Sequence, residues 1–342
     1  MRMRITTASA VALSLIGLAA CAPGSARWMD AATVTATFAA TSTATISATE
    51  SPTATAAPTS TPGPPARRVL IISFDGLRPE AIELAPMPVL QSLMKISAYT
   101  LEAQTVFPSA TLPAHSSMVG GTCPAKHGVL WNDYLPSLGY AHGTDLFDLA
   151  HAAGLRTVLY VGKEKLQQIA EPGSVDLYRF INDRDLAIVD ELIKEFPRDF
   201  GVMLVHFPLV DMMGHEHGWL SPEQLSVAFR GDQALARLLA TLDETGVRDE
   251  TLIIVTADHG GHGTTHGFSR PEDMTIPWIA SGPGIQPGRL TWRVQTMDTA
   301  ATAAWALGLT IPDAWDGRPV LEAFGVEVGT PIAVQCPRPV LR

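Results

Sequence analysis

Between Thr256 and Gly267 the chain reads Thr-Ala-Asp-His-Gly-Gly-His-Gly-Thr-Thr-His-Gly. Carboxylate oxygens and imidazole nitrogens are ligands of zinc-like divalent ions, and Asp258, His259, His262 and His266 supply both within nine residues. Gly260, Gly261 and Gly263 are expected to take positive φ, so that the backbone folds back and the side chains converge. A second stretch reads His206-Phe-Pro-Leu-Val-Asp-Met-Met-Gly-His-Glu-His-Gly218. Asp211 and His215 are four apart, so on a helical turn they share a face and can grip one ion, whereas His217 points elsewhere. Six of the ten histidines fall between His206 and His266, which argues against independent surface placement.

A third stretch, Val106-Phe-Pro-Ser-Ala-Thr-Leu-Pro-Ala-His-Ser-Ser-Met-Val-Gly-Gly121, supplies a hydroxyl. Thr111 is placed to begin a helix, where free backbone N–H groups and the dipole favour a phosphate. Thr111 could also be an ordinary helix cap, an alternative that applies to Ser109 as well. His115, one turn after Thr111, reads as a supporting or packing residue. Asp75 follows six apolar residues and could either bind metal or cap its turn. Together the pieces make two ligand sets. Asp211, His215 and His266 form one, with an open position for water; Asp75, Asp258 and His259 form the other, with Thr111. Two ions about 4 Å apart can clamp the attacking and leaving oxygens of an in-line phosphoryl displacement.

Strands must carry these residues. Val69–Phe74, Arg156–Val161, Gly201–Phe207, Leu252–Ala257 and Ile276–Ala280 are short, apolar and rich in β-branched residues. Helical segments are expected around 88–97, 111–119, 145–153, 183–196, 222–242 and 298–307. Such alternation predicts an α/β fold, with a mostly parallel central sheet and helices on both faces. Ligands of such sheets bind outside the carboxyl ends of the strands, and Asp75, Asp211 and Asp258 all follow a strand directly.

These residues carry a family resemblance. Asp75 in Ser-Phe-Asp-Gly, Thr111 in its Phe-Pro-Ser-Ala-Thr loop, His127-Gly128 followed by Asn132, Asp211 with His215, Asp258-His259, and His266 occur in one order. They resemble the alkaline phosphatase superfamily, nearest to the type I phosphodiesterase/nucleotide pyrophosphatase group, over about residues 67–321. The resemblance implies an alkaline phosphatase-like fold, two zinc ions, a phospho-threonine intermediate on Thr111, and Asn132 donating a hydrogen bond to a phosphoryl oxygen. It implies a small phosphoester as substrate. The Cys-x-Pro-x-Arg context of sulfatases is absent. Two features depart from nucleotide-cleaving members. The nucleophile lies in Thr-Leu-Pro-Ala rather than Thr-Phe-Pro-Asn, which removes an aromatic that stacks on the base. Only seven residues separate His259 from His266, where those members usually insert a long segment.

Lys163 and Lys165, in Val-Gly-Lys-Glu-Lys-Leu, follow a strand onto the same edge. Similar pairs in phosphomonoesterase and phosphonoacetate hydrolase relatives contact anionic oxygens of substrate, and a monoester dianion needs that extra charge. Two solvated lysines at a helix start would look the same. The phosphodiesterase reading stands first, a phosphomonoesterase or phosphonate hydrolase next. A non-catalytic metal-binding module fits poorly with Thr111 and Asn132 beside a full ligand set. A mutase fits poorly with an export sequence.

A net charge of −10 gives no basic surface for nucleic acid. Two arginines within Met1–Arg4, an apolar run to Ala20, and Leu-Ala-Ala-Cys21 look like a bacterial lipoprotein signal over residues 1–20. The expectation is export across the cytoplasmic membrane, with the mature chain lipid-anchored at Cys21 on the outer face. Residues 21–66 form a stalk. From Ala31 to Pro65, 30 of 35 residues are Thr, Ala, Ser or Pro, with Glu50 the lone charge. Too little apolar surface is available there to offset ordering entropy, so a disordered spacer spanning about 30–35 Å is expected. The catalytic domain takes 67–342. With Cys21 lipidated, Cys123 and Cys336 remain and could pair in an oxidising exterior. Replacing the anchor residue, Cys21→Ala, should release the protein from membranes without changing turnover of a soluble substrate. Membrane fractionation checks this, and a variant that stays in the pellet rules the lipid anchor out.

Overall fold

The structure is a computed structural model that describes residues 64–327, 329 and 333–338. The leader, Cys21 and nearly all of the Thr/Ala/Ser/Pro stretch lie outside the described residues. Eight strands occur in chain order: β1 Arg68–Phe74, β2 Ala98–Gln104, β3 Arg156–Val161, β4 Leu177–Phe180, β5 Phe200–Phe207, β6 Thr251–Thr256, β7 Thr275–Ser281 and β8 Gly288–Arg289. They form one sheet in the order β4-β3-β5-β1-β6-β7-β2-β8. Every neighbouring pair is parallel except β6/β7 and β7/β2, so β7 alone runs against the rest. This is the mostly parallel sheet expected, with one reversed strand that no periodicity could reveal.

The central strands β5, β1 and β6 are apolar on both faces because both faces are covered. The Pro222–Thr245 helix packs with Pro79–Leu84, Pro88–Met94, Asp185–Lys194 and Leu209–His217. A second group of helices comprises Thr111–Gly120, Leu146–Ala152 and Asp298–Ala306. Local chemistry sets the helix ends. The Ser221 hydroxyl accepts the Gln224 N–H, Pro222 begins the helix, and Gly246 ends it at φ +73°. Asp145 and Asp148 form a reciprocal capping box ahead of Leu146. Cys123 and Cys336 are bonded to each other, joining positions 213 apart in sequence beside buried Val106, Ala114 and Met297. Three strands escape sequence reading. β2 (Ala-Tyr-Thr-Leu-Glu-Ala-Gln) mixes polar residues into its pattern, β4 has only four residues, and β8 only two.

Parallel β3, β5, β1 and β6 lie side by side, so their carboxyl ends open on one edge. The turn after β6 folds back across that edge. Of the three glycines expected to supply positive φ there, Gly263 does, at +52°. Gly260 and Gly261 do not; they serve close approach instead. A Cβ on Gly260 would lie 2.1 Å from the Glu272 carbonyl oxygen, and one on Gly261 2.2 Å from Cε2 of Trp219. Trp219 is itself tied down, its Nε1–H donating to the Gly76 carbonyl at 2.9 Å. Gly261→Ala must therefore displace a nearly buried indole, and should cost about 1–3 kcal/mol, the usual range for overpacking. Denaturant unfolding measures this; an unchanged midpoint would show that Trp219 yields freely.

Candidate active site

Each strand end delivers one part of the site. Asp75 follows β1 and is fully buried, with its backbone N–H bonded to the Phe207 carbonyl at 2.9 Å. Asp211 lies in the first turn, and His215 one turn later, of the Leu209–His217 helix after β5. Asp258 and His259 follow β6, and Lys163 and Lys165 follow β3. Thr111 is the first residue of the Thr111–Gly120 helix and is fully buried.

The structure brings Asp211, His215 and His266 together as one expected set, while in the other it is Asp211 rather than Asp258 that closes with Asp75 and His259, Asp258 lying beside them. Asp211 Oδ1 lies 3.4 Å from His215 Nε2 and 3.5 Å from His266 Nε2. His259 Nε2 lies 3.4 Å from Asp75 Oδ1, 3.3 Å from Asp258 Oδ2 and 3.5 Å from Thr111 Oγ1. The sets adjoin, since Asp211 Oδ1 is 4.0 Å from His259 Nε2. The rings of His259 and His266 stack at 3.8 Å between centroids.

Proton positions follow from the outer hydrogen bonds. A carbonyl oxygen can only accept, so a ring nitrogen facing one must carry the hydrogen. Nδ1 of His215 faces the Thr264 carbonyl at 3.0 Å, Nδ1 of His259 the Gly260 carbonyl at 2.7 Å, and Nδ1 of His266 the Ser109 carbonyl at 2.9 Å. Burial, assisted by the neighbouring His259, lowers the His266 pKa to about 3, and burial also lowers that of His259. In the neutral rings the Nε2 lone pair then points inward. Beside the Thr111 hydroxyl, it meets carboxylate oxygens. Asp75 Oδ1, Asp211 Oδ1 and Asp258 Oδ2 are all buried and without a hydrogen-bond partner. Three lone pairs and three bare carboxylate oxygens converge within a few ångströms, an arrangement suited to divalent cations. The donor set therefore fits a metal centre. Asp75, Asp211 and His259 form one group able to hold an ion, and Asp211, His215 and His266 another.

The charges respond to this crowding. Burial would raise the Asp75 carboxyl, but the Lys163 ammonium and the His206 N–H outweigh it and hold it well below the usual carboxylate range. Asp258, buried beside that charge, is pushed up to about 7. The Lys163 ammonium contacts Asp75 Oδ2 at 2.7 Å and Asp211 Oδ2 at 2.5 Å, with Thr111 Oγ1 at 3.4 Å. Burial lowers its pKa, yet the two carboxylates raise it further, so it stays charged. Lys165 Nζ instead lies 3.1 Å from Asn132 Oδ1. The two lysines thus diverge, one onto the carboxylates and one onto the asparagine. Asn132 Oδ1 also accepts the Leu112 N–H at 2.9 Å, which fixes the amide beside the Thr111–Gly120 helix.

The remaining candidates fall away from the centre. His262 pairs with Asp273 at 2.6 Å, and His217 lies 3.4 Å from exposed Glu216. Ser109 donates to the Phe268 carbonyl at 2.8 Å. Sequence reasoning missed Trp219, whose ring lies edge-on to His215 and His266 at 5.3 and 5.8 Å, and it missed His206. A histidine inside the apolar run of β5, with Ser73 opposite it in register on β1, was the available signal.

Comparison with known proteins agrees with this geometry. The family model of type I phosphodiesterase / nucleotide pyrophosphatase matches residues 69–151 and 160–274, more than half of the chain. The human GPI ethanolamine phosphate transferase 2 catalytic subunit is 27% identical over 273 residues, 73% of this chain and 27% of that protein. Human ectonucleotide pyrophosphatase/phosphodiesterase family member 1 is 27% identical over 220 residues, 56% of this chain and 23% of its own. The chain thus spans about a quarter of the length of these curated relatives. Among solved structures, murine ectonucleotide pyrophosphatase/phosphodiesterase 5 in complex with AMP superposes with a TM-score of 0.62 at 16% identity, over 75% of this chain and 98% of that one. Alkaline phosphatase PafA gives 0.64 at 13% identity, over 78% of this chain and 100% of that one. At such identities the structural likeness speaks for the fold, which is alkaline phosphatase-like. With the family's model covering the ligand-bearing ends of β1, β5 and β6, the chain is a member of the type I phosphodiesterase/nucleotide pyrophosphatase family.

Proposed function

We propose that this protein hydrolyses small phosphoesters with two zinc ions, as a phosphodiesterase acting through a phospho-threonine intermediate on Thr111. The observation that carries the reading is the convergence of inward lone pairs and unpartnered carboxylate oxygens beside Thr111 Oγ1. Asp211, His215 and His266 would hold one ion, and Asp75, Asp258 and His259 the other. Bound there, the ions would supply Lewis acidity, easing ionisation of the Thr111 hydroxyl and offsetting phosphoryl charge.

The chain's own residues supply the rest. Thr111 Oγ1 attacks phosphorus, the leaving-group oxygen departs, and water later cleaves the P–O bond to the threonine. Helix geometry holds that hydroxyl at a position where no side chain caps the first turn. Asn132 has its Oδ1 engaged by the Leu112 amide and Lys165, so its side-chain NH2 is the group left to donate to a phosphoryl oxygen. Lys165, and Lys163 through its charge, add positive potential for the anionic substrate.

A specific observation speaks against a nucleotide as the substrate. Leu112, at the position of the base-stacking aromatic, is fully buried and offers no surface to a nucleobase. Localisation follows separately. We propose export and lipid tethering through Cys21, supported by the Cys123–Cys336 disulfide, which suits an oxidising exterior. Among the described residues no helix is long and apolar enough to cross a membrane.

Hydrolysis of p-nitrophenyl phosphate and bis(p-nitrophenyl) phosphate at equal zinc tests the assignment. Thr111→Ala should lose several orders of magnitude on both, and Asn132→Ala about 10²–10³, as for a single oxyanion donor. The diester should be the better wild-type substrate and should survive Lys165→Ala largely intact. A monoester preference that collapses in Lys165→Ala would assign the site to monoesters. Near-normal turnover by Thr111→Ala would end the phospho-threonine mechanism.

A further inference from the structure

Five histidines lie within 3.5 Å of the three clustered carboxylates, and one is wired in the opposite sense. His206, fully buried near the end of β5, meets a backbone amide rather than a carbonyl: its Nδ1 accepts the Gly162 N–H at 3.2 Å. The ring hydrogen must then sit on Nε2, which lies 2.8 Å from Asp75 Oδ2. The amide approaches this closely because residue 162 is glycine. A Cβ there would lie 2.3 Å from Cγ of Pro208, two residues beyond His206 and just past the end of β5.

We infer that His206 is a positioning residue for Asp75, setting which carboxylate oxygen faces the metal. This rests on the two-cation reading above. With Oδ2 engaged by the imidazole N–H, Oδ1 is the oxygen left without a partner, turned toward His259 Nε2 at 3.4 Å. Lys163 also reaches Oδ2, at 2.7 Å, but its ammonium is shared with Asp211, whereas the imidazole is held from both sides. The same layer extends to the nucleophile. Ser73, opposite His206 in the sheet, donates its hydroxyl to His115 Nε2 at 2.9 Å, and His115 Nδ1 donates to the Thr111 carbonyl at 2.8 Å. The rings of His115 and His206 meet edge-on at 5.1 Å. One sheet register thus places both the carboxylate and the first turn of the Thr111 helix.

Zinc affinity, read by chelator competition on the full chain, separates this role from mere packing. His206→Leu keeps bulk and removes the donor; it should weaken zinc at the Asp75 position about 10–100-fold, as for outer-layer partners of metal ligands. His206→Gln, which can place a side-chain N–H near the same point, should recover most of that loss. Wild-type affinity in His206→Leu, or a loss in His206→Gln as large as in His206→Leu, overturns the inference. Nitrogen-15 NMR of the wild-type imidazoles needs no variant to fold. It should find His206 as the Nε2–H tautomer and His215, His259 and His266 as Nδ1–H tautomers. An Nδ1–H tautomer at His206 overturns the inference outright. A wild-type chain that takes up no zinc would instead sink the two-cation reading, leaving the tautomer result to decide the placement of Asp75.

Discussion

Three buried carboxylates share one small volume at the carboxyl edge of the sheet, and the rest of the site is organised by what that crowding requires. Asp75, Asp211 and Asp258 each expose one oxygen to the interior of the cluster with no hydrogen to meet it. Like charges this close in a poorly hydrated site are costly unless a cation intervenes. One ammonium, Lys163, answers part of that charge by bridging Asp75 and Asp211. The pKa values carry the same strain in opposite directions, Asp75 held low by its cationic and N–H partners while Asp258 is driven up to about 7.

Such a cluster can be held only by rigid supports. The carboxylates leave the ends of adjacent parallel strands, whose hydrogen-bonded registers fix their spacing. The histidines are fixed by backbone carbonyls, which also set their tautomers. Gly260 and Gly261 allow the turn after β6 to press against Glu272 and Trp219, and Trp219 in turn backs the rings of His215 and His266. The disulfide draws a distant part of the chain to the end of the Thr111–Gly120 helix without contributing to the charged centre.

Much of this was legible in the sequence. The runs that became β1, β3, β5, β6 and β7 are predominantly apolar, and a buried strand of that kind has few alternatives. The strand-end acids and glycine-spaced histidines nominated the side chains that the fold gathers. What could not be read depends on partners distant in the chain. The Ser109 carbonyl that orients His266 is 157 residues away, and nothing in either local sequence announces the bond. The direction of β7, the reason for Gly260 and Gly261, and the divergence of Lys163 from Lys165 are likewise tertiary facts. Asp211 and His215 were legible as a pair because their spacing matches a helical turn, and the Leu209–His217 helix supplies that turn.

The most direct test of the central claim is anomalous diffraction from zinc-loaded crystals. The account predicts two peaks roughly 4 Å apart, as in two-metal sites. One should be bonded to Asp211, His215 and His266 and the other to Asp75, Asp258 and His259, each histidine through Nε2. A single peak, or histidines bonded through Nδ1 with their carbonyl contacts broken, would contradict it.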